Sequence, residues 1–123
     1  MKLNMSASNL ELLRHIAAET AFILKHIQNK SEEEFLNDDL LCRAVVRSLE
    51  IIGEASKKVD LEFKNHHPHI EWKKMAGTRD KMIHDYFGID YEIVWDILEN
   101  KIPDLDHFIN EILNSNPDSQ LNT

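Results

Sequence analysis

A chain of 123 residues, 42% hydrophobic and 29% charged, has room for one globular domain and too much apolar content for wholesale disorder. Three Gly and three Pro are too few for the turns of an all-β fold, and the single Cys42 excludes an internal disulfide. The net charge of −8 argues against general adhesion to nucleic acid, whose nonspecific affinity comes from counterions released by Lys and Arg.

In chain order, Ser8-Asn9-Leu10-Glu11 reads as a capping box opening a first helix to about Asn29, with Leu10, Leu13, Ala17, Leu24 and Ile27 on one stripe. Ser31-Glu32-Glu33-Glu34 repeats the pattern. Leu41, Val45, Leu49, Ile52 and Val59 then carry a second helix to about Val59. Gly53 in its middle costs roughly 1 kcal/mol of helix propensity, which close approach of a neighbouring helix would explain. Residues 60–69 form a connector, with Pro68 ahead of a short helix at Ile70–Ala76. Gly77-Thr78 interrupts, and a third main helix is expected from about Arg79 to Phe87, with Gly88 at its C′ position. Asp90 caps the next helix, which carries Ile93, Val94, Ile97 and Leu98; Pro103 kinks or restarts the chain before Leu105, Phe108, Ile109 and Ile112. No segment alternates with period two far enough to form a strand. The expected fold is an all-α antiparallel bundle of four or five helices over residues 1–113, with 114–123 a flexible tail. No run of about 18 apolar residues is present and MKLNMSASN has no apolar signal core, so a cytoplasmic chain without membrane contact is expected.

The average charge hides a local inversion. From Lys57 to Lys81 there are seven basic residues against four acidic ones, with His66, His67 and His69 between them. An acidic body with one basic segment suits a protein that meets a polyanion at a single site. Within that region begins MAGTRDKMIHDYFG (Met75–Gly88), which crowds Arg79, Asp80, His84, Asp85 and Tyr86 around two apolar anchors. On one continuous helix Asp80 and His84 would be neighbours and Arg79 would share a face with Tyr86, whereas Arg79 and His84 would stand roughly 140° apart. The two converge only if Arg79 lies at a helix start or its long side chain reaches round.

These residue types suit cleavage of RNA, which brings its own nucleophile in the 2′-hydroxyl. His84 can move a proton near neutrality, Arg79 offers a planar cationic fork to a phosphate, and Asp80 could hold one imidazole tautomer. Such a scheme calls for no metal and no cofactor. Arg79-x4-His84-x-Tyr86 resembles the signature of the HEPN superfamily in its HepT-like toxin branch. The likeness extends to Arg43–Val59, to Pro68-His69-Ile70-Glu71-Trp72 leading into Met75–Asp80, and to Ile93-Val94-Trp95 near Pro103-Asp104-Leu105, about Leu10 to Leu113 in all. The resemblance implies a homodimeric, HEPN-like helical bundle whose two motifs face one cleft, forming a metal-independent endoribonuclease. It makes Arg79 and His84 the catalytic pair and Asp80 the polar residue that assists them, where many relatives carry Asn. It also implies a partner, a minimal nucleotidyltransferase antitoxin that transfers AMP onto Tyr86.

Lys73 and Lys74, just before the motif, and Lys81 within it are the candidates for holding RNA phosphates. His66-His67-Pro68-His69 lacks a convincing set of further ligands, so no metal site is expected there. Trp72 reads as packing beneath the motif, Cys42 as a small core residue, and Glu54 as a carboxylate that could reach Arg79 or the motif backbone. The alternative reading is a non-catalytic HEPN binding module that docks a nucleotidyltransferase and helps it bind nucleotide or substrate.

Overall fold

The computed structural model describes residues 6–85 and 88–115, His84 and Asp85 by their backbone alone. In chain order the elements are α1 (Ala7–Ile27), α2 (Glu32–Leu36), α3 (Asp39–Lys58), α4 (Leu61–His66), α5 (Trp72–Ala76) and α6 (Thr78–Met82). A small hairpin of β1 (Ile83–Asp85) and β2 (Gly88–Ile89) follows, then α7 (Tyr91–Asn100) and α8 (Ile102–Ser115). The fold is the expected all-α bundle, with α1, α3, α7 and α8 as its long members and α1 packed against both α3 and α8. No helix among the described residues is long and apolar enough to cross a membrane.

Helix α1 starts two residues earlier than the capping box suggested: the Ser6 hydroxyl, not that of Ser8, accepts the Asn9 amide at 3.1 Å. The shift follows from tertiary demand. Asn9 is buried and exchanges two hydrogen bonds with Asp60, its side-chain amide reaching the carboxylate at 3.3 Å and its oxygen accepting the Asp60 amide at 3.2 Å. The buried stripe is therefore Asn9, Leu10, Leu13, Ile16, Thr20 and Ile23, with Ala17, Leu24 and Ile27 flanking it half-buried. Asn29 ends the helix with a φ of 62°, a left-handed conformation that Asn tolerates better than most residues.

The second capping box forms as predicted, Ser31 and Glu34 each satisfying the other's backbone amide. The helix it opens lasts only five residues, however, and Asp38 caps a separate α3 by accepting the Leu41 amide. Two helices replace the single one expected because the break at Asn37-Asp38 lets Phe35 bury completely against Trp95, ring centroids 5.3 Å apart, while its carbonyl accepts the Cys42 thiol. The expected connector likewise contains α4, held by the buried Phe63.

The largest correction concerns the motif. Helix α6 ends at Met82 rather than continuing to Phe87, and Gly88 lies in β2 opposite Asp85 instead of terminating a helix. Met82 is fully buried, and its carbonyl, the acceptor a longer helix would use, takes the Asp90 amide at 2.8 Å. Ile83 then turns to extended backbone (φ −76°, ψ 120°) and pairs with Ile89. Asp90 caps α7 as expected, accepting the Glu92 and Ile93 amides, and Pro103 sits in the first turn of α8. Phe87 and residues 116–123 of the expected tail lie outside the described residues.

Candidate active site

The position of the site starts from Gly53. A Cβ on this residue would stand 3.0 Å from the Met75 carbonyl oxygen, so only glycine lets α3 approach α5 this closely. That contact fixes α5, the joint at Gly77 and hence the start of α6. Gly77 both closes α5 and opens α6, so Arg79 lies in the first turn of a new helix.

Arg79 is exposed over 71% of its side chain, and its Nε lies 3.7 Å from Glu50 Oε2 on α3. The carboxylate it meets is thus one turn before Glu54, the residue the sequence singled out. Both acids lie four apart on α3, and only the placement of α5 and α6 decides which one reaches the guanidinium. Together they help line a groove of about 400 Å³ that also takes His15 from α1, Arg47 and Lys58 from α3, and Arg79. Arg47, Lys57, Lys58 and Arg79 outnumber Glu50 and Glu54 along this groove, so its net charge favours an anion in a chain that is acidic overall. Nothing in the sequence ranked Arg47 or His15; they were legible only as exposed positions on two amphipathic helices.

Asp80 is exposed on α6 beside Arg79. Because α6 stops at Met82, Asp80 and His84 are not neighbours across one helical turn. The same break lifts the roughly 140° separation that a continuous helix would impose on Arg79 and His84. The backbone of His84 lies in the middle of β1. The side chain of His84 and the whole of Tyr86 lie outside the described residues.

The three lysines diverge. Lys74 binds Glu71 at 2.7 Å, and Lys101 reaches the same carboxylate at 3.2 Å, so the two ammonium groups hold the Glu71 carboxyl below its ordinary range. Lys73 lies with Lys57 and Lys64 along a broad open groove beside Trp72. Lys81 faces a separate, mostly apolar cavity on the other side of α6. Trp72 is buried as expected, its indole N–H donating to the His67 carbonyl at 3.0 Å. The three connector histidines have local partners: His66 Nδ1 lies 2.9 Å from the Glu62 carbonyl, the His67 ring is tilted against Phe63 with centroids 4.6 Å apart, and His69 stands edge-on to Phe108 at 4.8 Å. Burial pushes the His67 imidazole below its ordinary value, with His69 and His66 adding to the shift. Among the described residues, no group of three or more His, Cys, Asp or Glu is placed to hold a metal.

A family model described as ribonuclease HepT-like matches residues 14–112, which take in the motif and the groove-building elements except the first turns of α1. The chain belongs to the HepT-like ribonuclease family. Membership places it among the endoribonucleases, with RNA as its substrate class. Similar chains occur in bacteria and archaea. One from Caldanaerobacter subterraneus subsp. tengcongensis, named as an RNase, is 46% identical over 101 residues, covering 82% of this chain and 90% of that protein. Another from Methanocaldococcus jannaschii, also named as an RNase, is 48% identical over 91 residues, 74% of this chain and 75% of its own length. A third from Thermococcus cleftensis, named as a ribonuclease HepT, is 43% identical over 101 residues, 82% of this chain and 92% of its own. No solved structure matches this HepT-like chain.

Proposed function

We propose that this ribonuclease is the toxin of a toxin–antitoxin pair and cuts RNA by metal-independent transesterification, with Arg79 and His84 as the catalytic residues. The observation that carries the reading is the place of Arg79: exposed at the rim of a polar groove, held by Glu50, and three residues before the chain leaves the helix for the strand that contains His84. In the proposed step the 2′-oxygen attacks phosphorus and the bond to the 5′-oxygen breaks, leaving a 2′,3′-cyclic phosphate and a 5′-hydroxyl. An imidazole accepts the 2′-hydroxyl proton, and an imidazolium supplies one to the departing 5′-oxygen. The Arg79 guanidinium neutralises charge that builds on the non-bridging oxygens. A histidine cannot serve as base and acid at the same instant, so two copies of the chain facing one cleft divide the roles, and a homodimer is part of the proposal. Asp80, beside Arg79, tempers the positive charge there; Lys73 and Lys81 attract the flanking RNA backbone, and Lys74 adds to it through the excess charge of its cluster with Lys101 and Glu71.

Control of the toxin is assigned to a minimal nucleotidyltransferase antitoxin. The Tyr86 phenol would attack the α-phosphorus of ATP and release pyrophosphate, leaving a bulky phosphodiester anion seven residues from Arg79 to compete for its cation. The test is direct. Purified chain is incubated with an RNA oligonucleotide and with DNA of the same sequence, with and without chelator. Cleavage of RNA alone, unaffected by chelator and lost in Arg79→Ala and His84→Ala with the fold intact, is the expected outcome. Inhibition by chelator would overturn the metal-free scheme, and retention of cleavage in His84→Ala would overturn the assignment of roles. Co-expression with a nucleotidyltransferase should add the mass of one or more AMP units, lost in Tyr86→Phe.

A further inference from the structure

We propose that the cavity on the side of α6 away from Arg79 is a nucleobase subsite, which takes the base of a nucleotide adjoining the cleaved phosphodiester; this rests on the assignment of RNA as substrate. The cavity measures about 440 Å³, within the range of about 300–1,000 Å³ typical of small-molecule sites. Its walls are largely aliphatic, from Leu49, Ile52, Ile70 and Ile97, with one aromatic ring, Phe108. His69, itself part of the lining, stands edge-on to that ring at 85° and holds its plane. A flat heterocycle with polar edges fits such a lining, since an aromatic face accepts a stacked base and aliphatic walls exclude water from it.

Two features join this cavity to the catalytic groove. Leu49 lines both, so they are neighbours across one side chain, and α6 contributes Arg79 to one and Thr78 and Lys81 to the other. A strand lying across α6 would therefore meet Arg79 with its phosphate and the cavity with an adjacent base. Charge at the mouth is arranged to match. Lys74 and Lys101 both rim the cavity and share the single carboxylate of Glu71, so this side of the mouth keeps one positive charge in excess. Lys81 makes no ion pair among the described residues and is left to face the nucleotide's phosphate. Lys74, Lys81 and Lys101 outnumber Glu71 and Asp104 around the lining, and an apolar pocket with one net positive charge at its mouth calls for an amphiphilic anion; the nucleoside monophosphate unit has that chemistry whether free or within RNA.

The test reads the cavity and not the cleavage. The full-length chain is labelled at the isoleucine δ1 methyls and titrated with AMP, GMP, CMP and UMP, and separately with a short RNA blocked by 2′-O-methyl groups. Saturable shifts are expected at Ile52, Ile70, Ile97 and Ile102, which line the cavity, and none at Ile16 and Ile23, which are buried elsewhere. Affinity should fall by about tenfold or more in Asp104→Trp, an exposed rim position whose new ring would occupy the mouth, the scale of losing one stacked base. Lys81→Gln should weaken nucleotides more than the corresponding nucleosides. Shifts with the mononucleotides as well as the oligonucleotide mean that the subsite binds the free unit; shifts with the oligonucleotide alone assign it to the polymer. Absence of shifts at the lining methyls with both probes, or equal affinity in Asp104→Trp, overturns the subsite. Shifts in a chain that cuts no RNA would leave the subsite standing and remove the nuclease reading instead.

Discussion

Replacing Gly53 by Ala tests the contact that positions the whole site. In an unconstrained helix interior the change would stabilise by about 1 kcal/mol. Here the added Cβ would lie 3.0 Å from the Met75 carbonyl oxygen, a backbone atom that cannot swing aside, so α5 must retreat by a few tenths of an ångström. Overfilling of this kind costs about 1–3 kcal/mol, which outweighs the propensity gain and leaves the variant about 1 kcal/mol less stable. For a chain of this size that is a fall in Tm of about 4 °C. Gly77→Ala supplies the internal control. Its Cβ would meet the Lys73 carbonyl at an ordinary 3.5 Å, so this variant should gain up to about 1 kcal/mol. Urea and thermal unfolding of both variants against the parent measure the pair. The reasoning also demands a functional effect: the retreat of α5 carries α6 with it and parts Arg79 from Glu50, so Gly53→Ala should lose RNA cleavage at temperatures where it remains folded. A Gly53→Ala protein stabilised as much as Gly77→Ala would show that α5 yields freely and that the site does not depend on this approach.

Further predictions concern the ties around that site. Thr20 is fully buried and its hydroxyl lies 2.7 Å from Asp106 Oδ1, linking α1 to α8; Thr20→Val should lower stability by about 1.5–3 kcal/mol at unchanged denaturant m-value. A loss under about 0.5 kcal/mol would mean the bond is worth no more than a surface contact. Glu50→Gln should barely change stability, because Arg79 is largely exposed and such pairs contribute little, yet kcat should fall by about tenfold with no rise in KM as the guanidinium loses its rest. A raised KM at unchanged kcat would instead make Glu50 part of RNA binding. The depressed pKa of His67 means the unfolded chain binds its proton more readily than the folded one. Stability should therefore be fully present above the ordinary histidine value of 6.5 and decline as pH falls from there through the lowered folded value. His67→Asn should flatten that part of the stability–pH curve, and an unchanged slope would place its origin in another group.

Some of this architecture was written in local chemistry. The Ser31 capping box, the Asp90 cap, the Pro103 restart and the burial of Leu13, Val45, Ile52 and Ile109 follow from side-chain type and helical spacing, which act within one or two turns. The close approach at Gly53 was also legible, because a glycine in a helix interior is costly without a neighbour that needs the space. The buried Asn9 and Thr20 were not. Each is a polar residue on an apolar stripe whose burial depends on a partner far along the chain, Asp60 or Asp106, and no local pattern announces such a partner.

The motif marks the boundary most clearly. Residue types alone determined that a guanidinium, an imidazole and a phenol are concentrated in eight positions, and that an acidic chain carries one basic segment. Tertiary structure alone decided that α6 ends at Met82, that Glu50 and not Glu54 takes Arg79, and that an apolar cavity opens beside Lys81. The physical reason is common to all three. Helical propensity near Arg79–Asp85 differs from that of a turn by a few tenths of a kcal/mol per residue, whereas burying Met82 completely is worth about 1.5–3 kcal/mol, so the core dictates where the helix stops and which side chains meet.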